Sequence, residues 1–204
     1  MNIKISTTNT KLGYQIPSIS LAPECSCRPD APCARGCYAK KGNFTYKNVQ
    51  ESRKHNYDLY VKDADAYFNE IIAFLNDRLI GYKYFRWHVS GDIVDDAYLL
   101  GMIRVAKACK GVKFLCFTKK FDIVNRFLSS GEKLPSNLRI IFSAWFKGFK
   151  VDNPFNLPIA YVFFKDTSLN PDIDHLAIPC IGDCSRCLSC WSLKKGQSVV
   201  FHQH

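Results

Sequence analysis

No window of this sequence approaches the roughly 20 consecutive apolar residues that a membrane-crossing helix requires, so contact with a membrane is not expected. The start, Met1-Asn-Ile-Lys-Ile-Ser, lacks the apolar stretch of an export signal. Ten cysteines in 204 residues are too sparse for a small disulfide-stapled scaffold, which points to a reducing, cytoplasmic setting and to thiols. Histidine is scarce, with five residues and no pair at helical spacing, which disfavours a zinc-dependent hydrolase. Internal repeats, low-complexity segments, base-stacking aromatic motifs and a recognisable DNA-reading helix are also missing. Acidic residues are in deficit, 18 against 28 Lys and Arg, giving a formal net charge of +10. The basic residues are scattered along the chain, which suits either a solvated surface or contact with nucleic acid or a host protein.

What is present is concentrated cysteine. Cys180, Cys184, Cys187 and Cys190 fall within eleven residues, with gaps of three, two and two. Thiolates so close repel one another unless a soft metal holds them. Zinc sites usually use two short Cys pairs separated by a dozen or more residues, whereas closely spaced runs are typical of iron-sulfur clusters. The spacing therefore favours iron-sulfur, of the 4Fe-4S kind, with zinc as the alternative metal. A second group, Cys25, Cys27, Cys33 and Cys37, lies in a loop broken by Pro23, Pro29, Pro32 and Gly36, whose irregular backbone can curl around a bulky centre. Two groups allow one or two clusters. Cys109 and Cys116 sit in apolar stretches and read as packing residues.

The length and the 47% hydrophobic content suit one well-filled domain over residues 1–204. Strands are expected at 16–21, 84–90, 113–118, 138–143, 159–163 and 175–178. Helices are expected at 46–61, at 64–79 with Asp63 as cap and a stripe of Phe68, Ile71, Ile72, Leu75 and Leu79, from Asp95 or Asp96 to Cys109, and at 122–128. His55 reads as solvated beside Arg53 and Lys54. The ending Val-Val-Phe-His202-Gln-His204 reads as a solvated tail. Alternating strands and helices predict an α/β fold with a mostly parallel sheet of about six strands. An incomplete β/α barrel is the first expectation and an open doubly wound sheet the second. In either case the Cys loops fall at the C-terminal ends of the strands, where sites form.

The run Tyr84-Phe-Arg-Trp-His-Val-Ser-Gly-Asp92 is the chemical strand. Alternation puts Phe85, Trp87 and Val89 on one face and Arg86, His88 and Ser90 on the other. His88, Asp92 and Lys119 are the candidate catalytic residues. Ser90, Gly91, Asp92 and Ser143 are the candidate cofactor-binding residues, Gly91 because backbone can approach a ligand there. Asp92 has a plainer reading as a turn or cap residue before the following helix.

Asn9-Thr-Lys-Leu-Gly13, the loop from Cys27 through Cys33 to Cys37-Tyr-Ala-Lys-Lys-Gly, Trp87-His-Val-Ser-Gly-Asp92, Phe117-Thr-Lys119 and the late Cys run ending in Trp191 together resemble the phage and prophage gene product 88 family. That resemblance implies a phage-type protein in the cytoplasm of a bacterial host, and no particular activity. More distantly, the arrangement looks like the radical S-adenosylmethionine enzymes, which are partial barrels with a cluster loop after the first strand and a polar motif after the second. Ser90-Gly91-Asp92 occupies that second place, which implies S-adenosylmethionine as cofactor. Lys40 stands where their third loop Cys should be. Two functions follow as expectations: redox or radical chemistry on an unknown substrate, or a non-catalytic module fastened by iron-sulfur or zinc that binds nucleic acid or a host protein.

Overall fold

The computed structural model describes residues 2–34, 36–77 and 81–203. Its strands are β1 (Ile5–Ser6), β2 (Ser18–Ile19), β3 (Tyr84–Trp87), β4 (Lys113–Thr118), β5 (Leu138–Ser143), β6 (Ile159–Phe163), β7 (Ile178–Pro179) and β8 (Ser198–His202). The helices are α1 (Pro23–Ser26), α2 (Lys47–Lys62), α3 (Ala64–Leu75), α4 (Asp96–Ala108), α5 (Phe121–Ser129) and α6 (Ser189–Ser192). The expected stripe residue Leu79 and the terminal His204 lie outside the described residues.

All eight strands form one mixed α/β sheet in the order β1-β2-β3-β4-β5-β6-β8-β7, and only β1 runs antiparallel to its neighbour. The sheet is open among the described residues, since β1 and β7 each pair on one side only. From β2 to β6 each strand lies beside its predecessor in sequence. Right-handed crossovers then place the intervening helices on one face. Residues of α3, α4 and α5 accordingly share one core with Phe85, Trp87, Phe114, Cys116, Ile140 and Phe142. At the far edge the order reverses, because β7 is laid down beyond β8. A right-handed connection running backward crosses the opposite face. Trp191 and Leu193, on that connection, pack there with Leu115, Ile141, Ala160 and Val199. The expected α/β fold with a mostly parallel sheet is observed, with eight strands rather than about six; it is wound in one direction through most of its width, with a single reversal.

The local reasons are ordinary ones. Asp63 caps α3 by accepting from Ala66 N at 2.9 Å, and Asp95 caps α4 by accepting from Tyr98 N at 2.8 Å. Close packing of α3 on α4 depends on Gly101, where any Cβ would run into the Phe68 ring. β1 is too short for periodicity to reveal it. Buried Asn56 of α2 fixes the adjoining chain, donating to Lys4 O and Ser20 O and accepting from Lys4 N, all at 2.9–3.1 Å. The ending expected to be a solvated tail is instead β8, with Ser198 and Val199 buried between β6 and β7. Its β-branched and aromatic run finds hydrogen-bonding partners on both sides.

Candidate functional site

Five segments follow the C-terminal ends of parallel strands, and the Cys groups are among them. The N-terminal Cys loop follows β2, residues 88–92 follow β3, Lys119 follows β4, Ala144-Trp145-Phe146 follow β5, and Cys180 follows β7. On this edge a small pocket of about 80 Å³ is lined by Cys27, Cys33 and Cys37 together with Arg86, His88, Asp92 and Lys119. Beside it a cavity of about 1170 Å³ is lined by Cys180, Cys184, Cys187 and Cys190, by loop residues around Pro29 and Pro32, and by the second sheet face at Leu115, Val162 and Val199. Ala31, Tyr38, Arg86, Phe117 and Lys119 belong to both walls.

The late Cys run reaches this place because the reversed connection is pinned under the sheet. Trp191 is 5% exposed, donates from Nε1 to Phe85 O at 3.4 Å and meets the Tyr84 ring edge-on. Cys184 N donates to Lys11 O at 2.7 Å, and Ser185 packs on Gly13. The turn at Asn9–Gly13 and the late Cys run thus form one docked unit, although some 170 residues of chain separate them. Cys25 is set apart. Its charged neighbours are Glu24, Lys54 and Asp58, and it is not on the pocket wall that Cys27, Cys33 and Cys37 share, so the residue expected as a possible fourth member stands apart from the other three.

Burial pushes the Cys27 thiol up to about 12, and the nearby Asp92 and Cys33 add to it while Lys119 opposes it. Burial likewise pushes Cys190 up to about 12 and raises Cys184, with Arg86 opposing both. Metal binding must therefore displace protons from these sulfurs. The donor chemistry suits a soft metal, for the donors are thiols with one cation near each group. Among the described residues, however, no three Cys, His, Asp or Glu side chains converge on a common point. Ligation needs the Cys side chains of each group to turn toward one another.

The strand-end residues depart from simple alternation. His88 has φ +52°, which breaks the strand and turns its ring to the helix side, opposite Arg86. There it is 3% exposed, with Nε2 3.1 Å from Tyr98 Oη and Nδ1 3.7 Å from Cys116 Sγ. Burial, aided by the Arg86 charge, pushes His88 down to about 3, so the ring is neutral at physiological pH. Val89, expected beside Phe85 and Trp87, packs against the second face instead.

Ser90 is fully engaged: its N donates to Ser20 Oγ, its Oγ donates to Leu21 O and accepts from Arg53 Nη1 at 2.9 Å. Gly91 does provide a close approach, with φ +88°, but what approaches is Leu21 O and Ser26 rather than open space. Asp92 accepts from Thr118 Oγ1 at 2.6 Å, Lys119 N at 2.9 Å and Ile93 N at 2.8 Å. It ties the end of β3 to the end of β4, a role neither reading of the sequence named, and the cap of α4 is Asp95. Burial raises the Asp92 carboxyl against the opposing effect of Lys119 and Thr118. Ser143 and Lys119 remain on the cavity wall.

Sequence reasoning overlooked Arg53. It is 6% exposed and holds Ala39 O, Phe44 O and Ser90 Oγ at 2.7–3.1 Å, fastening the chain after the early Cys loop to the β3 end. An Arg in a helix otherwise rich in exposed polar residues carries no periodic signal. His55, read as solvated, is half-buried with Nε2 3.0 Å from Asn2 O.

The open, mostly parallel sheet with its polar and thiol-bearing side chains gathered at one edge defines an α/β protein of the strand-end site class. Within that class the chain belongs to the gene product 88 family, whose model matches residues 2–196. It is similar to the Gene 88 protein of Mycobacterium phage L5, 32% identical over 152 residues that cover 70% of this chain and 58% of that protein. It is also similar to the Gene 88 protein of Mycobacterium phage D29, 31% identical over 128 residues that cover 57% and 51% of the two chains. The matched region therefore spans a little over half the length of these relatives. No solved structure matches. Among the described residues no helix is long and apolar enough to cross a membrane.

Proposed function

We propose that this is an iron-sulfur protein. In it Cys180, Cys184, Cys187 and Cys190 form one complete thiolate set on the large cavity, and Cys27, Cys33 and Cys37 form a three-thiolate set on the small pocket beside it. The observation that carries the reading is the sheet reversal, which brings a Cys run from the end of the chain under the second face, beside the early Cys loop. Closely spaced thiols suit a cluster better than a single zinc ion. A cluster held there supplies electron transfer. Arg86, beside Cys184 and Cys190, favours their thiolate forms, and Lys119 does the same for Cys27. The buried Trp191 and the Cys184-to-Lys11 backbone bond hold the late run in place.

Redox chemistry on a substrate in the 1170 Å³ cavity is the function this arrangement supports best. The Ser90-Gly91-Asp92 turn spends its hydrogen bonds within the fold, so the proposal assigns no S-adenosylmethionine to it. Protein purified without oxygen should show the broad visible absorption of an iron-sulfur cluster. Cys187→Ala should abolish the signal of one centre, while Cys33→Ala should affect only the other. Spectra unchanged by both substitutions would refute the ligand assignment.

A further inference from the structure

The cavity is larger than the roughly 300–1000 Å³ typical of small-molecule sites, so thiols along one wall leave most of it open. Four basic side chains line that space, Lys11, Lys41, Arg86 and Lys119, and the last two lie against aromatic rings. The Arg86 guanidinium carbon stands 4.1 Å over the centroid of the Phe117 ring, and Arg86 donates from Nε to Trp87 O at 3.0 Å. That bond engages Nε and leaves the two terminal nitrogens of the guanidinium to donate to a ligand. Among the described residues it forms no ion pair, and the groups whose charge acts on it are Tyr38 and thiols, not carboxylates. Lys119 Nζ stands 5.5 Å over the Trp145 ring. Its neighbouring carboxylate, Asp92, already takes three hydrogen bonds, including one from the Lys119 backbone.

The acids on the cavity wall are occupied elsewhere. Asp30 is held by a two-pronged contact with Arg28 at 3.0 Å, and Asp183 accepts from Ser185 N and Oγ. Four basic side chains against two acids, one of them paired with Arg28, leave a cationic surplus on the cavity wall. Its far wall is aromatic: Trp145 packs beside Phe146, and Phe146 stacks on Phe164 with centroids 5.2 Å apart and planes at 21°.

Paired cations beside a wall of rings match a ligand that joins an anion to a flat heterocycle. Arg presents N–H groups in a fork that fits phosphate oxygens, and aromatic rings on a cavity wall stack on the flat face of a base. We propose that the cavity binds a nucleotide, with phosphate toward Arg86 and Lys119 and base against Trp145. This goes beyond the iron-sulfur reading and does not depend on it, since neither cation nor ring is a metal donor.

The test is calorimetric titration of the protein, as purified without oxygen, with the four ribonucleoside 5′-monophosphates and with the matching phosphate-free nucleosides. At least one monophosphate should bind, about tenfold or more tighter than its nucleoside. Lys119→Gln and Arg86→Gln should each weaken the monophosphate by a similar factor without changing nucleoside binding, and Trp145→Leu should weaken both ligands. Lys119 is only partly buried, so its variant remains informative if Arg86→Gln fails to fold. Absence of binding by the unmodified protein, or equal affinity for nucleotide and nucleoside, would overturn the proposal. Metal content measured on the same sample separates this outcome from the fate of the cluster assignment.

Discussion

His88 is a neutral imidazole enclosed by Tyr98, Cys116 and Trp87, and the unfolded chain has no such enclosure. Its folded pKa, about 3, lies below the unfolded value near 6.5, so its contribution to stability is present above pH 6.5 and lost as the pH falls toward 3. Lowering the pH from 7.5 to 5.5 should cost about 1.4 kcal/mol through this one group. Denaturant unfolding at the two pH values measures it, and His88→Gln should flatten the dependence by that amount. An equal pH dependence in the variant would show that His88 is not the source. Gly91 makes a second residue-scale test. Gly91→Ala adds a Cβ at φ +88° within 2.9 Å of Leu21 O, a backbone atom that cannot step aside. It should lower stability by about 2 kcal/mol or more, seen as a fall in Tm of several degrees, whereas no change would remove the close approach from the account. At this scale alternation correctly faced Arg86 toward the site. It misplaced His88 and Val89, because one left-handed residue, which is not visible in a pattern of apolar positions, ends the strand early.

Trp191 is the wedge of α6, and the element has little else to hold it, being four residues long. Trp191→Ala should therefore cost about 3–5 kcal/mol and loosen the late Cys run, lowering both Tm and metal content. Arg186→Ala, on the same connection but exposed, serves as control; an equal loss there would contradict the role given to the wedge. The longer elements were legible in the sequence, because α3, α4, β4, β5 and β6 each carry a cap, a stripe or a run of β-branched and aromatic residues long enough to read. β1 was too short to read, β2 was found within the expected run 16–21 but is only two residues long, and β8 looked like a tail because its partners, β6 and β7, lie far from it in the chain. The reversal at β7 and β8 is a property of pairing between distant segments, and no local pattern encodes it. The candidate site was legible in part for the same reason. Spacing found both Cys groups, but only the fold separates Cys25 from Cys27, Cys33 and Cys37 and gives Ser90, Gly91 and Asp92 to the framework.

On the scale of the whole molecule, the two chain ends meet at the cavity: Asn9–Gly13 docks on the late Cys run, and β8 completes the sheet between β6 and β7. A metal bound by either Cys group closes only the short segment within that group, 27–37 or 180–190, but its binding free energy still adds to folding stability because it binds the folded site. Removing metal with a chelator should lower Tm, and Cys184→Ala should lower it before chelation and show a smaller further fall on chelation than the unmodified protein. The formal charge of +10 counts no thiolates, and a loaded centre offsets part of the surplus. The central claim is that the metal is iron-sulfur, and the most direct measurement is a count of iron, acid-labile sulfide and zinc in protein purified without oxygen. The account predicts near-equal iron and sulfide, about four to eight of each per chain, with little zinc. Stoichiometric zinc with no sulfide, or protein carrying no metal at all, would contradict it.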